Sequence, residues 1–208
     1  MSVVLGSRSP RRCELLLSVL GDVDFQIIPP VSDDEAGFDG LRGAEQFETR
    51  LREIVAVKHA DVSEQLPEPL TPDVVICADT IVVAWSDDQK ATVLGKPPVD
   101  LWQQTVWRWF REYYSGRYHE VWTCFRITMG DQFRESIVKT KVLFCTLDDW
   151  LIDWYVSTDE SIGKAGGYGI QGRASMLVEA VNGSFTNVVG LPMMEVTQTL
   201  RDFGVLKE

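Results

Sequence analysis

The chain has 208 residues, 45% of them hydrophobic and 25% charged, and a formal net charge of −11. This is the make-up of an ordinary globular protein, expected as a single domain over residues 1–208, and it excludes disordered and fibrous classes. The acidic balance argues against a nucleic-acid polymer as the main partner; with no apolar run near the ~20 residues of a membrane span and no signal-peptide pattern, a cytoplasmic protein without a membrane partner is expected.

Val3-Val4-Leu5 reads as a short apolar strand and residues 6–8 as a tight loop. Ser9 then serves as an N-cap and Pro10 as the first helical residue. Cys13, Leu16, Leu17 and Leu20 recur at helical spacing, and Gly21 is placed to end the helix. Arg11 and Arg12 occupy the first turn, with Arg8 just before it. A helix N-terminus carries partial positive charge, so each cation there is unfavourable by roughly 0.3–1 kcal/mol. A bound anion such as phosphate removes the conflict, meeting free backbone N–H groups and guanidinium forks together. The alternative is three solvated arginines.

Residues 25–28 read as a strand stopped by Pro29-Pro30, followed by the acidic loop Ser32-Asp33-Asp34-Glu35. Such a loop is ordinarily a solvated turn; the sharper reading has Glu35 facing the arginines and holding a hard cation. A helix over 43–62 puts Phe47, Leu51, Ile54 and Lys58 on one stripe. Lys58 either snorkels over the core or points into a polar cleft. Residues 67–72 form a linker, and 74–84 a strand apolar on both faces, as central strands are. Asp79 interrupts that strand. A carboxylate there is unfavourable unless paired, hydrogen-bonded or metal-bound, which favours chemistry over a purely structural role.

Residues 86–91 make a polar hairpin tip, and Gly95-Lys96-Pro97 places a lysine on a constrained turn. A helix over 100–114 carries Trp102, Val106, Trp109, Phe110 and Tyr113 on one side, a core stripe or a dimer face. Residues 120–128 and 135–144 alternate around Gly130-Asp131 as an antiparallel hairpin. Thr146-x-x-Asp149 caps a helix running to Val156. The stretch Lys164-Ala165-Gly166-Gly167-Tyr168-Gly169-Ile170-Gln171-Gly172 has a backbone that can approach a ligand closely, and the Gln171 amide can both donate to and accept from the edge of a base. A strand over 175–181, the turn Asn182-Gly183 and a last helix from Pro192 to Gly204 complete the chain. The four cysteines are widely spaced and expected reduced, and two distant histidines provide no zinc site. Any metal must therefore have oxygen ligands.

Residues 5–16, Ala78-Asp79-Thr80-Ile81-Val82, Gly95-Lys96-Pro97, Ser115-Gly116-Arg117, 164–172 and 187–192 together resemble the Maf family of nucleoside triphosphate pyrophosphatases, in order and over nearly the whole chain. Gly6 departs from that family's usual alanine. The resemblance implies an α/β fold related to inosine triphosphate pyrophosphatases, with an elongated mixed sheet flanked by helices and two lobes around a cleft. It implies hydrolysis of a nucleoside triphosphate to the monophosphate and pyrophosphate, with Asp79 as proton acceptor and a divalent metal, Mg²⁺ foremost and Mn²⁺ or Co²⁺ as alternatives.

The branch acting on dTTP and UTP is similar to this sequence at Arg11, Thr80 and Gln171, its specificity residues, although Arg11 is equally placed to touch phosphate. Ser7, Arg12, Lys58 and Lys96 are expected to hold the phosphates, and Asp79 with Glu35 the metal. A homodimer is a further expectation. Two other readings stand beside this one: a nucleotide-binding regulatory protein linked to septum formation, and a purine pyrophosphatase acting on inosine triphosphate.

Overall fold

The structure, a computed structural model, describes residues 2–32, 36–66 and 74–206. Its strands are β1 (Ser2–Gly6), β2 (Asp24–Ile27), β3 (Val74–Trp85), β4 (Ala91–Leu94), β5 (Tyr118–Met129), β6 (Gln132–Phe144) and β7 (Val178–Asn182). They form one sheet in the order β2-β1-β3-β5-β6-β7, with β4 also pairing β3. The helices are α1 (Pro10–Leu20), α2 (Ala44–Glu64), α3 (Trp102–Trp109), α4 (Asp149–Val156), α5 (Phe185–Val189) and α6 (Met193–Asp202). β1 runs parallel to β2 and β3, while the other pairs are antiparallel, so the sheet is mixed.

β3 is buried on both faces because helices cover both. Val75, Cys77, Ile81 and Val83 pack with Phe47, Leu51 and Val55 of α2. The alternate residues Val74, Ile76 and Ala78 pack with Leu16 and Leu20 of α1 and Val196 and Leu200 of α6. Further along the same face, Val82 and Ala84 join a cluster with Val106, Phe110, Tyr114 and Tyr155. Strand periodicity therefore sends Asp79 toward α2 and Thr80 toward α1.

The pairing of β3 leaves a notch in the sheet. On one edge it is paired to β5 from Val75 to Val83. On the other, β1 occupies Val74 to Cys77 and β4 occupies Val82 to Trp85, leaving residues 78–81 without a strand neighbour. Asp79 and Thr80 sit in that gap, just beyond the carboxyl end of β1, where open α/β sheets place their ligands.

Local readings hold at α1, where Ser9 Oγ accepts from Arg12 N at 3.4 Å and Gly21 closes the helix with φ +56°. Others need correction. Leu17 is 49% exposed, whereas Leu16 and Leu20 carry the buried face. The helix expected over 100–114 is three pieces: a 3-10 turn (Val99–Leu101), α3, and a π turn (Phe110–Tyr114) closed by Ser115 N donating to Phe110 O at 2.9 Å. The wider turn lets both Phe110 and Tyr114 enter the core, where Phe110 stacks on Tyr155 at 5.1 Å between centroids. Thr146 does not cap α4; Asp148 does, its Oδ1 accepting from Leu151 N at 2.8 Å. Part of the strand expected over 175–181 is a 3-10 turn (Arg173–Leu177), with β7 starting at Val178. The short α5 had no counterpart in the sequence reading. The 67–72 linker and Glu35 lie outside the described residues.

Candidate active site

β1 ends at Gly6, which pairs with Cys77 of β3 at a point where the chain passes too close to β3 for a side chain. A Cβ there would collide with Cys77 Sγ and lie 2.9 Å from Val62 Cγ2. Cys77 supplies the bulk that Gly6 lacks, which accounts for the glycine. Burial pushes the Cys77 thiol up to about 12, so it is neutral packing.

Beyond Gly6 a cavity of about 370 Å³ opens over the notch. It is lined by Ser7, Arg11, Arg12, Lys58, Asp79, Thr80, Lys96 and Gln171, so eight of the nine residues singled out from the sequence meet in one place. The ninth, Glu35, is outside the described residues. Six cations line the cavity, Arg8, Arg11, Arg12, Lys58, Lys96 and Lys164, against one described carboxylate, Asp79. In a chain of net charge −11 this is a concentrated positive site. Its field favours a multiply charged anion.

Each functional side chain is held by its own element. Lys58 reaches from α2 to Asp79, Nζ donating to Oδ1 at 2.5 Å, and so takes the cleft reading. Asp79 Oδ2 has no partner among the described residues and is available as an acceptor. Arg12 is fixed at three points: Nε donates to Gly190 O at 2.7 Å, Nη2 to Thr80 Oγ1 at 2.9 Å and Nη1 to Ser7 Oγ at 3.4 Å. Behind it, Thr80 Oγ1 bonds Thr123 Oγ1 at 2.9 Å, and Thr123 donates to Asn187 O at 3.1 Å. The fully buried Asn187 donates to Val121 O and Thr140 Oγ1, anchoring α5 to β5 and β6. Arg8 Nη2 donates to Pro30 O at 2.6 Å, drawing the 30–32 segment toward the site. By contrast, Arg11, Lys96 and Gln171 make no hydrogen bond or ion pair among the described residues; two cations and an amide remain for a ligand.

The glycine-rich stretch arches over the far wall. Gly166 and Gly167 adopt φ +69° and +71°, and a Cβ on Gly166 would lie 2.6 Å from Val82 Cγ2. Tyr114 donates its hydroxyl to Gly166 O at 2.9 Å, and Gly166 N donates to Gly95 O at 2.9 Å, tying this stretch to the turn that carries Lys96. Tyr168 OH meets His119 Nε2 at 2.8 Å in the core. Burial lowers His119 to about 3, so the imidazole there is neutral. Lys164, which the sequence reading quoted without a role, lines the cavity; burial and the Arg11 cation lower its pKa. The sequence signal for it is a cation opening a glycine-rich stretch.

Among the described residues no group of three His, Cys, Asp or Glu could hold a metal ion. Asp79 is the carboxylate among the described cavity-lining residues that could ligate a metal.

The sequence model of the family described as "Maf-like protein" matches residues 2–203. A dTTP/UTP pyrophosphatase of Syntrophus aciditrophicus is 36% identical over 98% of this chain and 91% of its own length. One from Shewanella oneidensis is 36% identical over 99% of this chain and all of its own length. One from Pyrococcus furiosus is 37% identical over 95% of this chain and 93% of its own length.

Proposed function

This chain belongs to the Maf family, and on that premise we propose that it is a nucleoside triphosphate pyrophosphatase that cleaves dTTP, UTP and related pyrimidine nucleotides to the monophosphate and pyrophosphate. The observation that carries the reading is the Lys58–Asp79 pair in a notch walled by Arg12 and the first turn of α1. A carboxylate with one oxygen held and one available, set among phosphate-binding cations, is what hydrolysis of a phosphoanhydride asks of a protein.

The geometry supports the following roles. Arg12, Lys58, Lys96 and Ser7, with the N-terminus of α1, bind the phosphates and neutralise charge on the departing pyrophosphate. Asp79 orients a water and accepts its proton as the water oxygen bonds to the α-phosphorus and the bond to the bridging oxygen breaks. Gln171 and Arg11, which line the same cavity, are assigned to the base and sugar. The fixed Arg12 fork is oriented before substrate arrives, so little reorganisation remains for the reaction.

A divalent cation, Mg²⁺ foremost, would be held by Asp79, with Glu35 the expected second ligand; when bound it would supply charge neutralisation for the phosphate oxygens. The biological role consistent with this chemistry is clearance of unwanted pyrimidine triphosphates from the nucleotide pool. No helix among the described residues is long and apolar enough to cross a membrane. Trp109 of α3 and Phe110 and Tyr114 of the π turn are packed in the core and so are not available to a homodimer; sedimentation tests whether the chain pairs.

The experiment is pyrophosphate release from dTTP, UTP, ITP and purine triphosphates with Mg²⁺, comparing the native protein with Asp79→Asn. Release from dTTP and UTP that collapses in the variant supports the reading. Preference for ITP would retain the chemistry and change the base; binding without release would leave a regulatory nucleotide-binding protein.

A further inference from the structure

Glu160 follows α4, lies outside the cavity lining, and yet touches both ends of the glycine-rich stretch. Its backbone carbonyl accepts from Lys164 Nζ at the beginning. Its carboxylate accepts at the end, from Arg173 N at 2.7 Å through Oε2 and from Ala174 N at 3.3 Å through Oε1. Tyr155 of α4 donates its hydroxyl to Oε1 at 3.1 Å. Tyr155 is fully buried, and burial reinforced by the Glu160 charge raises its pKa, so the hydroxyl stays a donor. The carboxylate occupies the space beside Gly172, where a Cβ would collide with it. Gly172 has φ −99°, outside the left-handed range that favours glycine, and the carboxylate fills the space a side chain would need.

Between these two anchors lies Gln171, whose amide has no other partner among the described residues. A side chain of two methylenes on an exposed turn is aimed by its backbone, which Glu160 holds at residues 173 and 174 while Tyr155 OH accepts from Gly169 N and Gly172 N donates to Gly169 O. We propose that Glu160 is a positioning residue: its backbone carbonyl meets Lys164, and its carboxylate, by holding the amides of 173 and 174, fixes Gln171 against the cavity and thereby sets base discrimination. The inference rests on the pyrophosphatase reading for its substrates and goes beyond it in assigning selectivity to a residue that the nucleotide does not touch.

The test uses Glu160→Ala, Glu160→Gln, Tyr155→Phe and Gly172→Ala, each checked for fold by circular dichroism. The readouts are kcat and KM for dTTP and ITP, calorimetric binding of both in Ca²⁺ without turnover, and deuterium exchange of amides 169–174. Glu160→Ala should raise KM for dTTP about tenfold, the scale of one charge-assisted hydrogen bond, while kcat falls less. The dTTP-over-ITP preference should shrink, and exchange at 169–174 should quicken. Gly172→Ala should behave alike and add nothing on top of Glu160→Ala, since both remove the same contact. Glu160→Gln, which keeps one acceptor, and Tyr155→Phe should fall between.

A lowered melting temperature with preference, KM and local exchange all unchanged would mean an ordinary structural contact and overturn the proposal. If the native protein binds dTTP selectively without turning it over, the hydrolase reading fails, and a binding preference that shrinks in Glu160→Ala still supports the staple. A native protein with no preference among triphosphates would leave Glu160 nothing to set and overturn it.

Discussion

Lys58 Nζ lies 2.5 Å from Asp79 Oδ1, with side chains only 15% and 13% exposed, so the pair is largely withdrawn from water. Removing Lys58 takes from Asp79 the ion-pair partner it has among the described residues. Lys58→Met should destabilise the fold by about 1–3 kcal/mol and lower kcat/KM by about a hundredfold or more. The double variant Lys58→Met/Asp79→Asn should recover much of the stability and none of the activity, as urea denaturation and pyrophosphate release would show. Recovery of activity in the double variant would refute the assigned roles.

Thr80 Oγ1 is engaged by Arg12 at 2.9 Å and by Thr123 at 2.9 Å, so its hydroxyl is committed to holding the guanidinium. Thr80→Val should therefore lower kcat/KM about tenfold for every triphosphate alike, the scale of one lost hydrogen bond to a charged group. A loss confined to pyrimidine substrates would instead assign Thr80 directly to the base.

Gly6→Ala forces a methyl group into Cys77 Sγ and Val62 and should destabilise by roughly 1–3 kcal/mol, as overpacking does. Gly6→Ala/Cys77→Ala should recover most of that loss, because the second change vacates the colliding atom. Additive losses in thermal denaturation would show that the two positions are not coupled.

Chelation should test the metal proposal directly. Turnover of dTTP should vanish in excess EDTA and return with Mg²⁺, whereas melting in the absence of nucleotide should shift little, since Asp79 already has Lys58 as partner. Undiminished turnover in EDTA would remove the metal from the scheme.

His119 titrates at about 3 when folded and near 6.5 when unfolded, its burial disfavouring the charged form. Above pH 6.5 both states are neutral and stability is full. Below it the unfolded chain takes up a proton that the fold refuses, so stability falls by up to about 1.4 kcal/mol per pH unit and levels near pH 3. His59, lowered to about 4 by burial and by Arg126, adds to the slope between 6.5 and 4. His119→Phe should flatten the dependence between pH 6.5 and 5 in urea midpoints; an unchanged slope would place the proton uptake elsewhere.

Local rules made much of this legible. The Ser9-Pro10 signal, the doubly apolar run of β3 and the misplaced arginines of α1 each express a short-range constraint, and each led to the element or site found. Asp79 stood out because a carboxylate in a buried strand demands a partner, although the partner, Lys58, was only one of two readings of an odd charge on a helix stripe. What escaped depends on distant packing. The π turn at Phe110 answers to the core that receives both Phe110 and Tyr114. The cap at Asp148 was confused with a nearby Thr146 of similar chemistry, and the Thr80–Thr123–Asn187 chain joins residues more than forty positions apart. Glu160 carries no motif; its contacts arise where the turn after α4 meets both ends of the glycine-rich stretch.

The adjacency of Asp79 and Thr80 on one strand has a consequence for how such a protein can change over time. Neighbouring side chains on a strand belong to opposite layers, so Asp79 answers to α2 and Thr80 to α1. A substitution at Arg11 or in the glycine-rich arch need not displace the Asp79–Lys58 pair on the α2 layer, and one that disturbs Thr80 acts on the guanidinium of Arg12 rather than on the carboxylate one residue away.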